Sequence, residues 1–147
     1  MDRKLQSDKL KIQPSNDRKL IENLFFDKEL YSGFVSNKDI KKEQIKLDMI
    51  KDKFFILYCD KNPIGLCIFY PIKDKICVVH IGIKNQYRGK IAYKFGEMLK
   101  EALFKKFLIL TAQIRKENKK ALYYAIQLGF KLFGGNETYK FLGVNYG

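Results

Sequence analysis

The chain has 147 residues, a length that suits one domain (residues 1–147) with a sizeable core, and 46% of its residues are hydrophobic, which excludes wholesale disorder. The formal net charge is +13, and it is uneven: +4 over residues 1–83, +8 over 84–120 and +1 over 121–147. A concentrated positive field favours polyanionic ligands, among them coenzyme A, nucleic acid and acidic proteins.

The first eight residues are polar and expected to fray. Leu10–Ile12 reads as a short strand ending at Pro14, after which Ser15 or Asn16 is placed to cap a helix. Leu20, Ile21, Leu24, Phe25 and Leu30 recur at helical spacing, so that helix is expected over about Asp17 to Leu30, with Gly33 marking a break. Asn37 is placed to cap a second helix carrying Ile40, Gln44, Ile45, Leu47 and Met49.

Phe54–Cys59 is rich in strand formers, and Asp60-Lys61-Asn62-Pro63 has turn chemistry. Ile64–Tyr70 follows as the second arm of a hairpin closed by Pro71. After a turn at Lys73–Lys75, Ile76–Ile83 is a continuous apolar run, expected as a central strand covered on both faces. A polar stretch with Gly89 leads into a helix from about Ala92 to Phe104. Phe107–Ile114 reads as another buried strand. Asn118–Leu128 reads as a short helix stopped by a left-handed Gly129. Phe130–Phe133 and Thr138–Val144 close the chain as a hairpin around Gly134-Gly135-Asn136. The order β-α-α-β-β-β-α-β-α-β-β mixes antiparallel hairpins with one strand–helix–strand crossover, an α+β arrangement.

Cys59, Cys67 and Cys77 all lie in apolar stretches and are expected as buried thiols of a reducing compartment. No CxxC pair occurs and His80 is the sole histidine, so no metal site is expected. No signal peptide and no apolar run near 18 residues is evident, so a cytosolic, membrane-free location is expected.

The chemistry concentrates in two blocks. In Gln86-Tyr87-Arg88-Gly89-Lys90-Ile91-Ala92 a strand end passes through a glycine turn into a helix. Such a junction aims backbone N–H groups and the positive end of a helix dipole at one place, and suits a phosphate. Arg88 and Lys90 add positive charge there. The second block carries Asn118, Ala121 and Gly129-Phe130.

Together these motifs resemble the GCN5-related N-acetyltransferase superfamily, in particular its branch of ribosomal-protein alanine acetyltransferases. The loop Gln86-x-x-Gly89-x-Ile91 follows the superfamily's acetyl-CoA pattern, except that Ile91 replaces a small residue. The resemblance implies the acyl-CoA N-acyltransferase fold, a mixed and mostly antiparallel central sheet with flanking helices. It implies transfer of an acetyl group from acetyl-CoA to a primary amine. It further implies that Ile81, Gly82 and Ile83 pair with the pantetheine arm, Gly82 keeping that surface open. The pyrophosphate would sit on N–H groups from Arg88 to Ala92, and Asn118 would reach the pantetheine.

Many relatives carry an acidic Tyr four residues before the Gly of Gly-Phe, and here that position is Ala125. Tyr124 stands one residue earlier, about 100° away around a helix. The catalytic candidates are therefore Tyr124, His80, which titrates in the right range, and Gln113, able to orient a water. The basic surface favours a protein amine or an RNA-linked one over a small polycation. Two other readings remain open: a non-catalytic acyl-CoA-binding module on this fold, and a basic nucleic-acid-binding domain. Monomer and homodimer are both compatible with the sequence.

Overall fold

A computed structural model describes residues 9–34, 47–49 and 52–147. Its elements are β1 (Leu10–Pro14), α1 (Arg18–Phe25), α2 (Tyr31–Phe34), β2 (Lys53–Cys59), β3 (Asn62–Lys73) and β4 (Ile76–Ile83). A 3-10 turn (Asn85–Tyr87) follows, then α3 (Lys90–Leu103), β5 (Ile109–Arg115), α4 (Lys119–Gln127), β6 (Lys131–Gly135) and β7 (Tyr139–Asn145). The seven strands form one sheet in the order β1-β2-β3-β4-β5-β7-β6. β4 pairs parallel with β5, whereas β1 with β2, β5 with β7 and β6 with β7 are antiparallel. The expected mixed, mostly antiparallel α+β sheet is therefore present. Chain contacts group into two compact units, Met1–Ile68 with Ile81–Arg88, and Phe69–His80 with Gly89–Gly147.

In the first unit, Ile21, Leu24 and Phe25 form one face of α1 and pack with Leu30, Phe54, Ile56, Leu66 and Ile68. Asp17, rather than Ser15 or Asn16, caps α1, accepting from the Leu20 N–H, while Ser15 Oγ accepts from the Asp17 N–H. The helix stops at Phe25, short of Leu30, because Asp27 turns the chain: its carboxylate accepts from the Glu29 N–H and its carbonyl from Leu30 and Tyr31. Gly33, expected as a break, lies within α2. The second helix expected from Asn37 falls mostly outside the described residues.

The β2–β3 turn is tighter than expected. Asp60 and Lys61 alone make it, with φ of 49° and 73°, so Asn62 and Pro63 already belong to β3. This left-handed pair matches the twist of a two-residue hairpin. Asp60 also clasps the start of β1, donating its N–H to Lys9 O and accepting from Lys9 N–H. Pro71 does not close the second arm, since β3 runs on to Lys73.

In the second unit the buried side chains are Phe95, Leu99 and Leu103 of α3, Leu122 and Ala125 of α4, Leu128, Phe130, and Cys77, Val79, Leu110 and Leu142 of the sheet. α3 begins at Lys90, two residues before the expected start, and Gly129 takes the expected left-handed conformation at φ 96°. Cys77 is fully buried, and burial pushes its thiol up to about 12. Cys59 and Cys67 are buried, as expected, and neither is part of a disulfide. The expected burial of β4 on both faces is not met: Cys77 and Val79 are buried, but Ile76, Val78 and His80 are only half-buried.

α3 and α4 meet at Gly96. A Cβ there would lie 2.5 Å from Leu128 Cδ1 and 2.7 Å from Tyr124 Oη. Leu128 is itself 2% exposed and has little room to yield. Gly96→Ala is expected to lower stability by about 1–3 kcal/mol through overpacking, read as a lower midpoint in thermal or urea unfolding.

Candidate functional site

Between β4 and α3 the chain is shaped by backbone hydrogen bonds before any ligand is considered. Lys84 N–H donates to Ile64 O, and the Tyr87 and Arg88 N–H groups donate back to Lys84 O and Asn85 O in the 3-10 turn. Glu29 accepts from the Asn85 N–H, and Asp27 lies 3.9 Å from Lys84 Nζ. These two acids, from the turn after α1, anchor the loop's beginning. Nothing in the spacing of the sequence signalled them.

Gly89 then takes φ 92° and ψ −129°, a region open to glycine and strained for other residues by about 1–3 kcal/mol. A Cβ there would meet nothing within 4 Å, so the requirement is conformational and the space above Gly89 is open. Gly89 is the N-cap of α3, with no capping side chain and no acidic residue in the first turn. The first backbone bond of the helix is Tyr93 N–H to Gly89 O. The N–H groups of Gly89, Lys90, Ile91 and Ala92 consequently project from the helix start without a backbone acceptor among the described residues. Arg88 was expected in this set, but the 3-10 turn consumes its N–H. Its guanidinium Nε donates to Ile83 O at 3.4 Å, which holds the charge beside the turn. Gln86, Lys90 and Gly89 are exposed, and Tyr87 and Ile91 half-buried. Ile91 sits in α3 with an ordinary negative φ, so the helix asks for no small residue there.

Ile81, Gly82 and Ile83 end β4. The face opened by Gly82 is not free: Phe34 and Leu30 fill it, with a Cβ at Gly82 falling 2.7 Å from the Phe34 ring. Gly82 admits this packing from α2, which corrects the expectation that it keeps a surface clear. The β4–β5 ladder ends at Val78, before these residues.

The remaining candidates lie in the second unit. Asn118 caps α4, its Oδ1 accepting from Ala121 N–H at 3.2 Å, and it is exposed. Tyr124 Oη donates to Ala92 O at 2.6 Å, tying α4 to the first turn of α3. Ala125 is buried. The β4–β5 ladder runs only from Ile76↔Ile109 to Val78↔Thr111, whereas β5 stays paired with β7 as far as Arg115. At the end of this ladder lies an open cleft of about 200 Å³, lined by Tyr70, Val78, Thr111, Ala112, Gln113, Phe133 and Phe141. Gln113 is exposed in it. His80 stacks on Tyr70 with ring centroids 6.2 Å apart. Burial lowers the His80 pKa from 6.5, so the imidazole is neutral at pH 7.

The fold is that of solved N-acetyltransferases. N-acetyltransferase PseH from Campylobacter jejuni, in complex with acetyl coenzyme A, is similar over 95% of this chain and 100% of its own, with a TM-score of 0.63 and 22% identity. IAA acetyltransferase from Bacillus cereus matches 94% of this chain and 100% of its own at TM-score 0.73 and 13% identity. Spermidine N-acetyltransferase from Vibrio cholerae, in complex with CoA and spermine, matches 92% and 95% at TM-score 0.72 and 18% identity. No protein-family profile and no curated protein sequence matches the chain. These likenesses give the chain the acyl-CoA N-acyltransferase fold. No metal-ligating group of three or more His, Cys, Asp or Glu occurs among the described residues, and no described helix is long and apolar enough to cross a membrane.

His80 provides a direct probe of the cleft. A folded pKa below the unfolded 6.5 means that the unfolded chain binds the proton more readily. Its contribution to stability is complete above pH 6.5 and is lost as pH falls towards the folded value. The single imidazole resonance should titrate below 6.5 by NMR, and His80→Phe should flatten the pH dependence of unfolding in that window. A midpoint at or above 6.5 would show that the ring is hydrated.

Proposed function

We propose that this protein is an enzyme that transfers an acetyl group from acetyl-CoA to a primary amine by direct attack on the thioester. The observation that carries the reading is the bare start of α3: four N–H groups without a backbone acceptor behind a glycine-only turn, flanked by Arg88 and Lys90, with no acidic residue in the first turn of the helix. The solved proteins of this fold named above, two of them complexed with acetyl coenzyme A or CoA, support the choice of ligand.

In this reading Gln86 to Ala92 hold the pyrophosphate, with the N–H set narrowed to Gly89–Ala92 and Arg88 and Lys90 contributing charge. Ile81, Gly82 and Ile83 offer strand-edge amides to the pantetheine, and Asn118 offers its Nδ2 while its Oδ1 caps α4. The amine must be neutral to attack. His80, uncharged at pH 7, can take its proton, and Gln113 can orient a water on the way. Tyr124 already spends its hydroxyl proton on Ala92 O, so its first role is to hold the α3 start in place. A thiol with a pKa of about 8.5 is a fair leaving group without an acid. The acceptor is a primary amine for which a protein or RNA-linked carrier suits the +13 charge better than a polycation. The buried Ala125 and the engaged Tyr124 favour one other reading, a module that binds acyl-CoA without turning it over.

Calorimetry with CoA and a thiol-release assay with acetyl-CoA and an amine panel separate these readings. Gly89→Glu places a carboxylate where the anion would sit and should weaken CoA binding at least tenfold. Unchanged affinity in a folded variant would refute the loop assignment. Tyr124→Phe should cost about 1 kcal/mol of stability and change kcat less than threefold. A drop of tenfold or more in kcat, with KM for acetyl-CoA unchanged, would make Tyr124 the acid instead.

A further inference from the structure

The cleft at the end of the β4–β5 ladder has a built wall. β6 pairs with β7 from Lys131↔Gly143 to Gly135↔Lys140, but the register slips between Leu132 and Gly134. Phe133 is the extra residue of this bulge. A bulge re-aims the side chain it carries, and here the ring passes across Gly143: a Cβ on Gly143 would touch its Cδ2 and Cε2 at 3.5 Å. Phe133 ends beside Phe141, with centroids 6.3 Å apart and planes at 37°. It nevertheless stays 65% exposed. An aromatic ring held by a ladder irregularity and left open to solvent contributes little to a core, and this ring is available to the cleft it lines.

The rest of the lining has a consistent chemistry. Phe141 is the cross-strand partner of Gln113, so both occupy one face of the sheet. Thr111 lies on that face too, its hydroxyl donating to Cys77 O. Tyr70 forms another side, backed by the His80 ring. Three aromatic rings, Val78 and Ala112 thus surround one exposed carboxamide, and no carboxylate lines the cleft.

Resting on the acetyl-transfer reading above, we propose that this cleft is the acceptor site, that Phe133 is its specificity-determining residue, and that the acceptor is a primary amine joined by a short linker to an uncharged aromatic ring. The ring lies between Phe133, Phe141 and Tyr70, where offset or edge contacts favour a flat group. The amine meets Gln113 Oε1, the exposed acceptor in the lining, on the side where His80 backs Tyr70. A polyamine finds no carboxylate in the cleft for its second charge, and the whole chain carries a net charge of +13.

The test compares kcat/KM for phenethylamine, for a short peptide with N-terminal Phe, and for spermidine, after CoA binding has been measured by calorimetry. Either aromatic amine should exceed spermidine at least tenfold, and the better of the two identifies a free amine or a chain terminus as the carrier. Phe133→Ala and Phe133→Leu, at an exposed position, should fold normally. Both should raise KM for the aromatic amine about tenfold, leaving KM for acetyl-CoA and kcat within twofold. The Leu variant shows that a ring, and not apolar bulk, is needed. CoA binding and turnover without aromatic preference, or with KM unmoved by both variants, would overturn this inference alone. Absence of CoA binding would overturn the acetyl-transfer reading and this inference with it.

Discussion

The geometry of the candidate site depends on one backbone conformation, that of Gly89. α1 and α4 begin on side-chain caps, Asp17 and Asn118, which satisfy an N–H each. α3, at 14 residues longer than either, begins on a residue that has no side chain to offer. Glycine in place of a capping side chain costs a few tenths of a kcal/mol. The loss is tolerated because Phe95, Leu99 and Leu103 are buried along the helix and Tyr124 bonds its first turn from outside. What stability forgoes there becomes binding capacity: unsatisfied donors with a dipole behind them attract an anion more strongly than donors already paired.

A second interruption has the same character. The parallel ladder between β4 and β5 lasts three residue pairs and then stops, while β5 keeps its full pairing with β7. Beyond that point the sheet exposes polar backbone and side chains that a continuous ladder would hide. Gln113 is exposed on one strand, and His80 is half-buried two residues past the last pair on the other. Burial keeps the imidazole neutral and its stacking on Tyr70 keeps it in place. An uncharged base beside an apolar cleft is suited to an amine that must lose its proton before it can attack.

Much of this was legible because single residues carried it. Gly129 announced a left-handed helix end, Asn118 marked a helix start, and the Gly89 loop was read where it stands; the closing hairpin was read too, but Gly134 and Gly135 belong to β6 and the turn falls at residues 136–138. The misreadings share a cause: local chemistry was overruled by partners distant in sequence. Pro63 and Pro71 suggested turns, yet β3 runs through both, since the tight Asp60-Lys61 turn needs neither. Gly82 suggested an open surface, and Phe34 filled it. The Asp27 and Glu29 anchors on Lys84 and Asn85 join residues more than 50 positions apart, beyond the reach of periodicity. The bulge at Phe133 has no signature in sequence, because a ladder slip depends on the register of both strands.

The one-residue offset between Tyr124 and Ala125 has a consequence for mechanism. A phenol at position 125 would lie in a place that is buried in this protein, whereas at 124 it reaches Ala92 O and closes α4 onto α3. The same side chain therefore trades proton donation for rigidity at the helix start. A thiolate can depart without that proton, because it is a weaker base than an amine. In the proposed reaction the proton that must still be moved is the amine's. Under that constraint the polarity of the cleft matters more than any acid. Under the proposed reading, a cleft lined by no carboxylate gives an ammonium no counter-ion, which favours the neutral amine that has to attack.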